Sequence, residues 1–183
     1  VGACGAGLVR PHLPAVDERT LIVASLAKSF GASGGLAMFG SERHKALVQR
    51  YGGPSNWSQS LNAAAIGAGM ASIRLHRSRE LGSLQERLQA NIRFFDSLIR
   101  TEQHGNPMAI RLVPCGEATL ANRLAVELAE RGYFTSAVFF PVVPQNKAAI
   151  RITLRADMEP NVIRSFCELI TGLLQAHGRE IRP

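Results

Sequence analysis

The chain has 183 residues, 46% of them hydrophobic and 19% charged, with a formal net charge of +7. That apolar share suffices for a core, excludes disorder over most of the length, and suits one large domain or two small ones. No apolar run approaches the roughly 18 residues of a membrane-spanning helix, and no signal-peptide pattern opens the chain. The positive charges are not clustered: the three lysines, Lys28, Lys45 and Lys147, and arginines from Arg10 to Arg182 are spread throughout. With no nucleic-acid-binding motif beside them, they suit anionic small molecules better than nucleic acid. Cys4, Cys115 and Cys167 lie far apart without a CxxC pair. That spacing speaks against a metal site or a disulfide framework, and for core-filling thiols in a reducing, cytoplasmic setting.

Residues 1–14 are small, glycine-rich and punctuated by two prolines, which predicts loop. The chain starts at Val1 rather than at a methionine, so it is expected to be a piece of something longer. Asp17 to Thr20 lead into Leu21–Leu26, an apolar run that predicts a buried strand. A turn over Lys28–Gly35 separates it from a second strand at Leu36–Gly40. Ser41 is a natural N-cap for a helix from Glu42 to Arg50, acidic at its start and basic at its end. Tyr51–Gln59, broken by Gly52, Gly53 and Pro54, is expected to be irregular.

From Leu61 onward the pattern is helical. Ala63–Leu75 is nearly all small or apolar, which predicts a helix buried all round. Leu81, Leu84, Leu88, Ile92, Phe95 and Ile99 then recur at three- and four-residue spacing, a one-sided amphipathic helix. The change of character near His76–Gly82 suggests a helix leaving one core and entering another. In the final third, Met108–Pro114 predicts a strand and Ala118–Arg131 a helix closed by Gly132. Tyr133–Phe140 and Ala148–Leu154 predict two more strands, the latter alternating Ile150, Ile152 and Leu154 with Arg151, Thr153 and Arg155. A last helix runs from Glu159-Pro160 to Ala176. Strand, helix, strand, strand, helix is an α+β unit with an antiparallel sheet.

Lys28 is the sharpest chemical feature. It follows an apolar strand directly, in a loop built from Ser25, Ser29, Ser33 and three glycines. An amine that sheds its charge in a buried setting can form a Schiff base with an aldehyde, and the hydroxyls and backbone N–H groups around it suit a phosphate. Residue by residue, an ordinary surface lysine after a strand accounts for the same facts.

The stretch Ser25-Leu-Ala-Lys-Ser-Phe-Gly-Ala-Ser-Gly-Gly35 resembles the T-L-S-K-A-x-G-x-x-G-G signature of pyridoxal-phosphate enzymes of fold type I, and is most similar to the α-oxoamine synthases. Trp57-Ser-Gln-Ser-Leu61 resembles their F-S-x-S-L-x-P segment, and Glu86-Arg-Leu-Gln-Ala-Asn-Ile-Arg-Phe-Phe95 their E-R-L-x-x-N-x-x-Y/F-F stretch. Arg131-Gly-Tyr-Phe, Pro141-Val-Val-Pro and Ala149-Ile-Arg-Ile-Thr resemble the R-G-I/V, P-x-V-P and x-L-R-I blocks. These blocks follow one another in the family's order along the whole chain. The sequence departs from the pattern at Ala27, at Asn62-Ala63 and at Asp157-Met158, and it begins after the family's acidic D-D/E-A-H-like motif.

The resemblance implies an α/β fold, the C-terminal half of a fold type I enzyme. Residues 1–62 would end the large cofactor-binding domain, 63–102 would link, and 103–183 would form the small α+β domain. It implies pyridoxal 5'-phosphate as cofactor, held covalently as an internal aldimine by Lys28, which would also be the proton-transfer base. Ser25 would bind the cofactor phosphate. Ser58 and Gln59 would reach the phosphate held by a partner subunit, implying a homodimer. Arg151 would pair with the substrate carboxylate, a task suited to its planar fork. The implied reaction condenses an amino acid with an acyl-CoA; a class I/II aminotransferase and a non-catalytic fragment of such an enzyme are the alternatives. His44, His76, His104 and His177 match no catalytic position and are expected on the surface.

Overall fold

A computed structural model describes residues 7, 9–10, 12–13 and 15–179. It divides into two units, Val1–Gly82 and Ser83–Pro183. The loop expected over residues 1–14, and Cys4 within it, fall mostly outside the described residues.

The first unit is built on a β-hairpin. Strand β1 (Leu21–Ser25) pairs antiparallel with β2 (Gly35–Phe39), Leu21 opposite Phe39 and Ser25 opposite Gly35. Asp17 organises the entry: its carboxylate accepts from the Thr20 hydroxyl at 2.7 Å, the Arg19 guanidinium at 3.2 Å and the Arg19 backbone N–H at 3.0 Å, and these bonds hold its pKa below the usual value. Helix α1 (Glu42–Tyr51) starts where the Ser41 hydroxyl accepts from the His44 N–H, satisfying one orphan donor of the first turn. Tyr51–Gln59 is more regular than expected, because Pro54 is pre-set for a first helical turn and initiates the short α2 (Gly53–Trp57). Helix α3 (Ala63–His76) is capped by Asn62, whose side-chain oxygen accepts from Ala65 N–H at 2.8 Å.

Two expectations about this unit are corrected. Strand β1 is not buried: Leu21 is 54% and Val23 73% exposed. Helix α3 is not buried all round, since Ala65 is its one buried residue and Ile66, Met70 and Ile73 are about half exposed. Apolar composition states what a segment can bury; a two-stranded sheet and three helices supply too few neighbours to bury it.

The change of helical character near His76 is a real break. Ser78 N–H and Oγ both bond the Leu75 carbonyl, ending α3, and Ser78 Oγ accepts from Glu80 N–H, starting α4 (Glu80–Leu98). The second unit adds β3 (Ile110–Gly116), α5 (Ala118–Glu130), β4 (Ser136–Val138), β5 (Ala148–Thr153) and α6 (Pro160–Ala176). The sheet is antiparallel in the order β3-β5-β4. Strand β4 is three residues long rather than the eight of Tyr133–Phe140, because the chain turns at Phe139, whose carbonyl accepts from Val142 N–H. Gly132, at φ +86°, closes α5 in the left-handed conformation and lets Tyr133 N–H reach the Leu128 carbonyl.

The alternation along β5 is realised. Ile150, Ile152 and Leu154 enter a core with Phe95, Ile99, Val113, Leu124, Leu128, Phe166, Ile170 and Leu174, while Arg151, Thr153 and Arg155 face outward. Each such apolar side chain contributes about 1.5–3 kcal/mol on burial, so this unit is the stable body of the described chain. Cys115 and Cys167 are buried free thiols in the same core.

Candidate functional site

Lys28 lies in the turn between β1 and β2. The neck of the turn is closed by Leu26 N–H to Gly34 O at 2.9 Å and Ala32 N–H to Leu26 O at 3.0 Å, and Gly31 N–H bonds the Lys28 carbonyl at 3.1 Å. Ser25 Oγ, at the end of β1, accepts from Ala27 N–H at 3.2 Å, which leaves its own proton available to donate. Lys28 is exposed rather than buried. It also differs from the other two lysines. Lys45 pairs with Glu42 at 3.2 Å and Lys147 with Glu102 at 3.7 Å, whereas Lys28 has no ion pair among the described residues.

The Trp57–Leu61 segment comes against this turn. Gly34 sits at φ +93°, a conformation L side chains rarely adopt, and a Cβ placed there would collide with the Leu61 side chain. Ser58 Oγ donates to the Pro54 carbonyl and Gln59 is exposed, both on the irregular stretch that leads to Leu61. The two segments singled out for phosphate binding therefore share one unit and touch through Leu61 and Gly34.

Arg151 belongs to the second unit. It stands on the central strand β5, opposite Leu112 of β3 and Ser136 of β4, and lines a cleft of 480 Å³. Tyr133, Thr135, Ser136 and Thr153 give the cleft polar edges, and Phe95, Ile163 and Phe166 an apolar floor. Arg155, two residues on, spends its fork on Asp157 at 2.9 and 3.2 Å. Arg151 has no such partner among the described residues, so its guanidinium is open to a carboxylate.

Two relationships are invisible in the sequence patterns. Arg111 is fully buried and paired with Asp96. His76 is half-buried, not on the open surface, and its ring stacks on Phe30 of the Lys28 turn at 4.7 Å between centroids. A histidine at the last turn of a helix beside a turn aromatic carries no periodic signal that would have found it.

The donor set around the turn suits an aldehyde-bearing phosphate ester: a primary amine without an ion pair among the described residues, a hydroxyl with a spare proton, and further serines at 29 and 33. Among the described residues no cluster of three His, Cys, Asp or Glu could hold a metal ion, and no helix is long and apolar enough to cross a membrane.

The architecture is that of part of a fold type I enzyme. A serine palmitoyltransferase, solved with pyridoxal phosphate as its internal aldimine, is similar with a TM-score of 0.77 at 20% identity, over 86% of this chain and 40% of that one. The chain belongs to the aminotransferase class I and II family, whose model matches residues 2–170. It is 32% identical over 159 residues to the 8-amino-7-oxononanoate synthase of Stutzerimonas stutzeri, covering 85% of this chain and 40% of that protein. It is 35% identical over 158 residues to the 2-amino-3-ketobutyrate coenzyme A ligase of Escherichia coli, covering 84% and 39%. The chain thus spans about 40% of the length of the curated relatives it matches.

Proposed function

We propose that this chain is part of a pyridoxal-phosphate-dependent acyltransferase that joins an amino acid to an acyl-CoA. The observation that carries the reading is Lys28: the one lysine without an ion pair among the described residues, on a glycine- and serine-rich turn three residues after Ser25. Pyridoxal phosphate, when bound, supplies an electron sink for the substrate Cα. Lys28 Nζ would be the group that holds the cofactor by its aldehyde, and the same amine would move the proton at the substrate Cα. Ser25 Oγ donates to the cofactor phosphate, and Arg151 grips the amino-acid carboxylate at the mouth of its cleft.

Ser58 and Gln59 reach the phosphate of a second subunit, so the working form is a homodimer. Residues 1–62 belong to the cofactor-binding domain, 63–102 link, and 103–183 form the small domain. The buried free thiols of Cys115 and Cys167 suit a reducing compartment, and the reading places the protein in the cytoplasm.

Pyridoxal phosphate is added, the adduct is reduced with borohydride, and the modified peptide is mapped by mass. Cofactor fixed on Lys28 and lost in Lys28→Ala is the expected result. Label absent, or spread equally over Lys45 and Lys147, overturns it. The family's description favours a second reading, amino-group transfer to a keto acid. Turnover that requires an acyl-CoA, and not a keto acid, separates the two.

A further inference from the structure

We propose that His76, acting through Phe30, is a positioning residue for Lys28. The inference rests on the reading of Lys28 as the cofactor-bearing residue. Lys28 has no side-chain partner of its own among the described residues, so the place of its amine is set by the turn that carries it. That turn is tied at its neck by the Leu26–Gly34 and Ala32–Leu26 backbone bonds, and at Gly34 by Leu61. Its far side, where Phe30 stands two residues after Lys28, is held by the Phe30–His76 stack.

The geometry is specific. The rings are 4.7 Å apart between centroids and 1° from parallel, within the range of aromatic pairs whose attraction exceeds simple area burial. The imidazole is itself oriented. His76 Nδ1 lies 2.8 Å from the Ser72 carbonyl, which can only accept, so Nδ1 carries the proton. That bond reaches back one helical turn within α3 and fixes the plane of the ring against which Phe30 lies flat. A rigid helix end thereby restrains the tip of the turn, in the way a functional group is held by a supporting contact one step removed.

The test compares wild type with His76→Ala, His76→Phe, which keeps a flat ring, and Phe30→Ala as a second disruption. Backbone hydrogen exchange is followed at Gly31 and Ala32 without cofactor, and the yield of borohydride-fixed pyridoxal phosphate at Lys28 is measured against Lys45 and Lys147. His76→Ala and Phe30→Ala are expected to speed exchange in the turn about three- to tenfold and to lower the relative Lys28 yield by a similar factor. Exchange along α1, in the same unit but away from the turn, should not change, which separates a local role from loss of folding of that unit. His76→Phe, which keeps the flat ring but loses the bond to the Ser72 carbonyl, should restore both readouts in part. Turn exchange unchanged in the two alanine variants, or no rescue by His76→Phe, overturns the proposal. A wild-type chain that takes no label at Lys28 overturns the cofactor reading alone, and the exchange measurement then still decides whether the stack holds the turn.

Discussion

Arg111 and Asp96 form a closed ion pair inside the second unit. The guanidinium Nε donates to Asp96 Oδ1 at 2.6 Å and Nη2 to Oδ2 at 2.8 Å. The remaining donors go to the carbonyls of Met108 at 2.6 Å, Ile110 at 3.0 Å and Asn106 at 2.9 Å, while Gly105 N–H bonds Asp96 Oδ2 at 3.1 Å. One pair therefore ties α4, the 105–108 turn and β3 together. Its lone pairs and protons are almost all matched, the condition under which a buried ion pair is tolerated.

Removing one partner leaves an uncompensated buried charge. Arg111→Met and Asp96→Leu are each expected to cost about 3–5 kcal/mol in urea unfolding of the second unit. The double variant should recover the part owed to the unpaired charge, and keep the cost of the backbone groups that Arg111 and Asp96 had satisfied. A single-variant cost as small as that of an exposed pair would show that the contact is dispensable.

The same pair sets an acid limit. Burial pushes the Asp96 carboxyl up, but the hydrogen bonds from Arg111 and Gly105 outweigh it, and the net position lies below the ordinary carboxylate value. A depressed folded-state pKa gives stability that is complete above the unfolded value and lost as pH falls through the folded one. Unfolding free energy should therefore hold at neutral pH and decline below the usual carboxylate range, with a shallower decline in the Arg111→Met/Asp96→Leu double variant.

Phe95 is fully buried, at 0% exposure, on the inner face of α4. Phe95→Ala removes a large side chain from packing that can relax only partly, so a loss of about 3–5 kcal/mol is expected in chemical denaturation.

Gly34→Ala should loosen the Lys28 turn, at a cost of about 1–3 kcal/mol from its left-handed backbone plus the clash with Leu61. Leu61→Ala in the same chain should relieve the clash and leave the backbone cost. Exchange at Ala32, whose N–H closes the neck, reports both.

Burial pushes the Cys167 thiol up to about 12, with Glu168 adding to the shift, and burial raises Cys115 as well. Thiolate is the reactive form. Alkylation of the native chain at pH 8 should leave both peptides unmodified, and denaturant should expose both. Native labelling of Cys167 would contradict its place in the core.

The second unit was legible in the amino-acid sequence to within a few residues. Its strands and helices carry strong local signals: the two-residue period of β5, the three-and-four spacing of α4, and the glycine that ends α5. Those signals arise because one face of each element meets the same core, so burial writes itself into the pattern. Lys28, Ser25, Ser58, Gln59 and Arg151 were named by motif, which specifies residue type and order but not surroundings. Tertiary structure alone decided that β1 and α3 stay largely exposed, that Arg111 is buried with Asp96, and that His76 lies flat on Phe30. Each of these depends on which distant residues arrive beside a side chain, a property of the folded neighbourhood that no local period or spacing encodes.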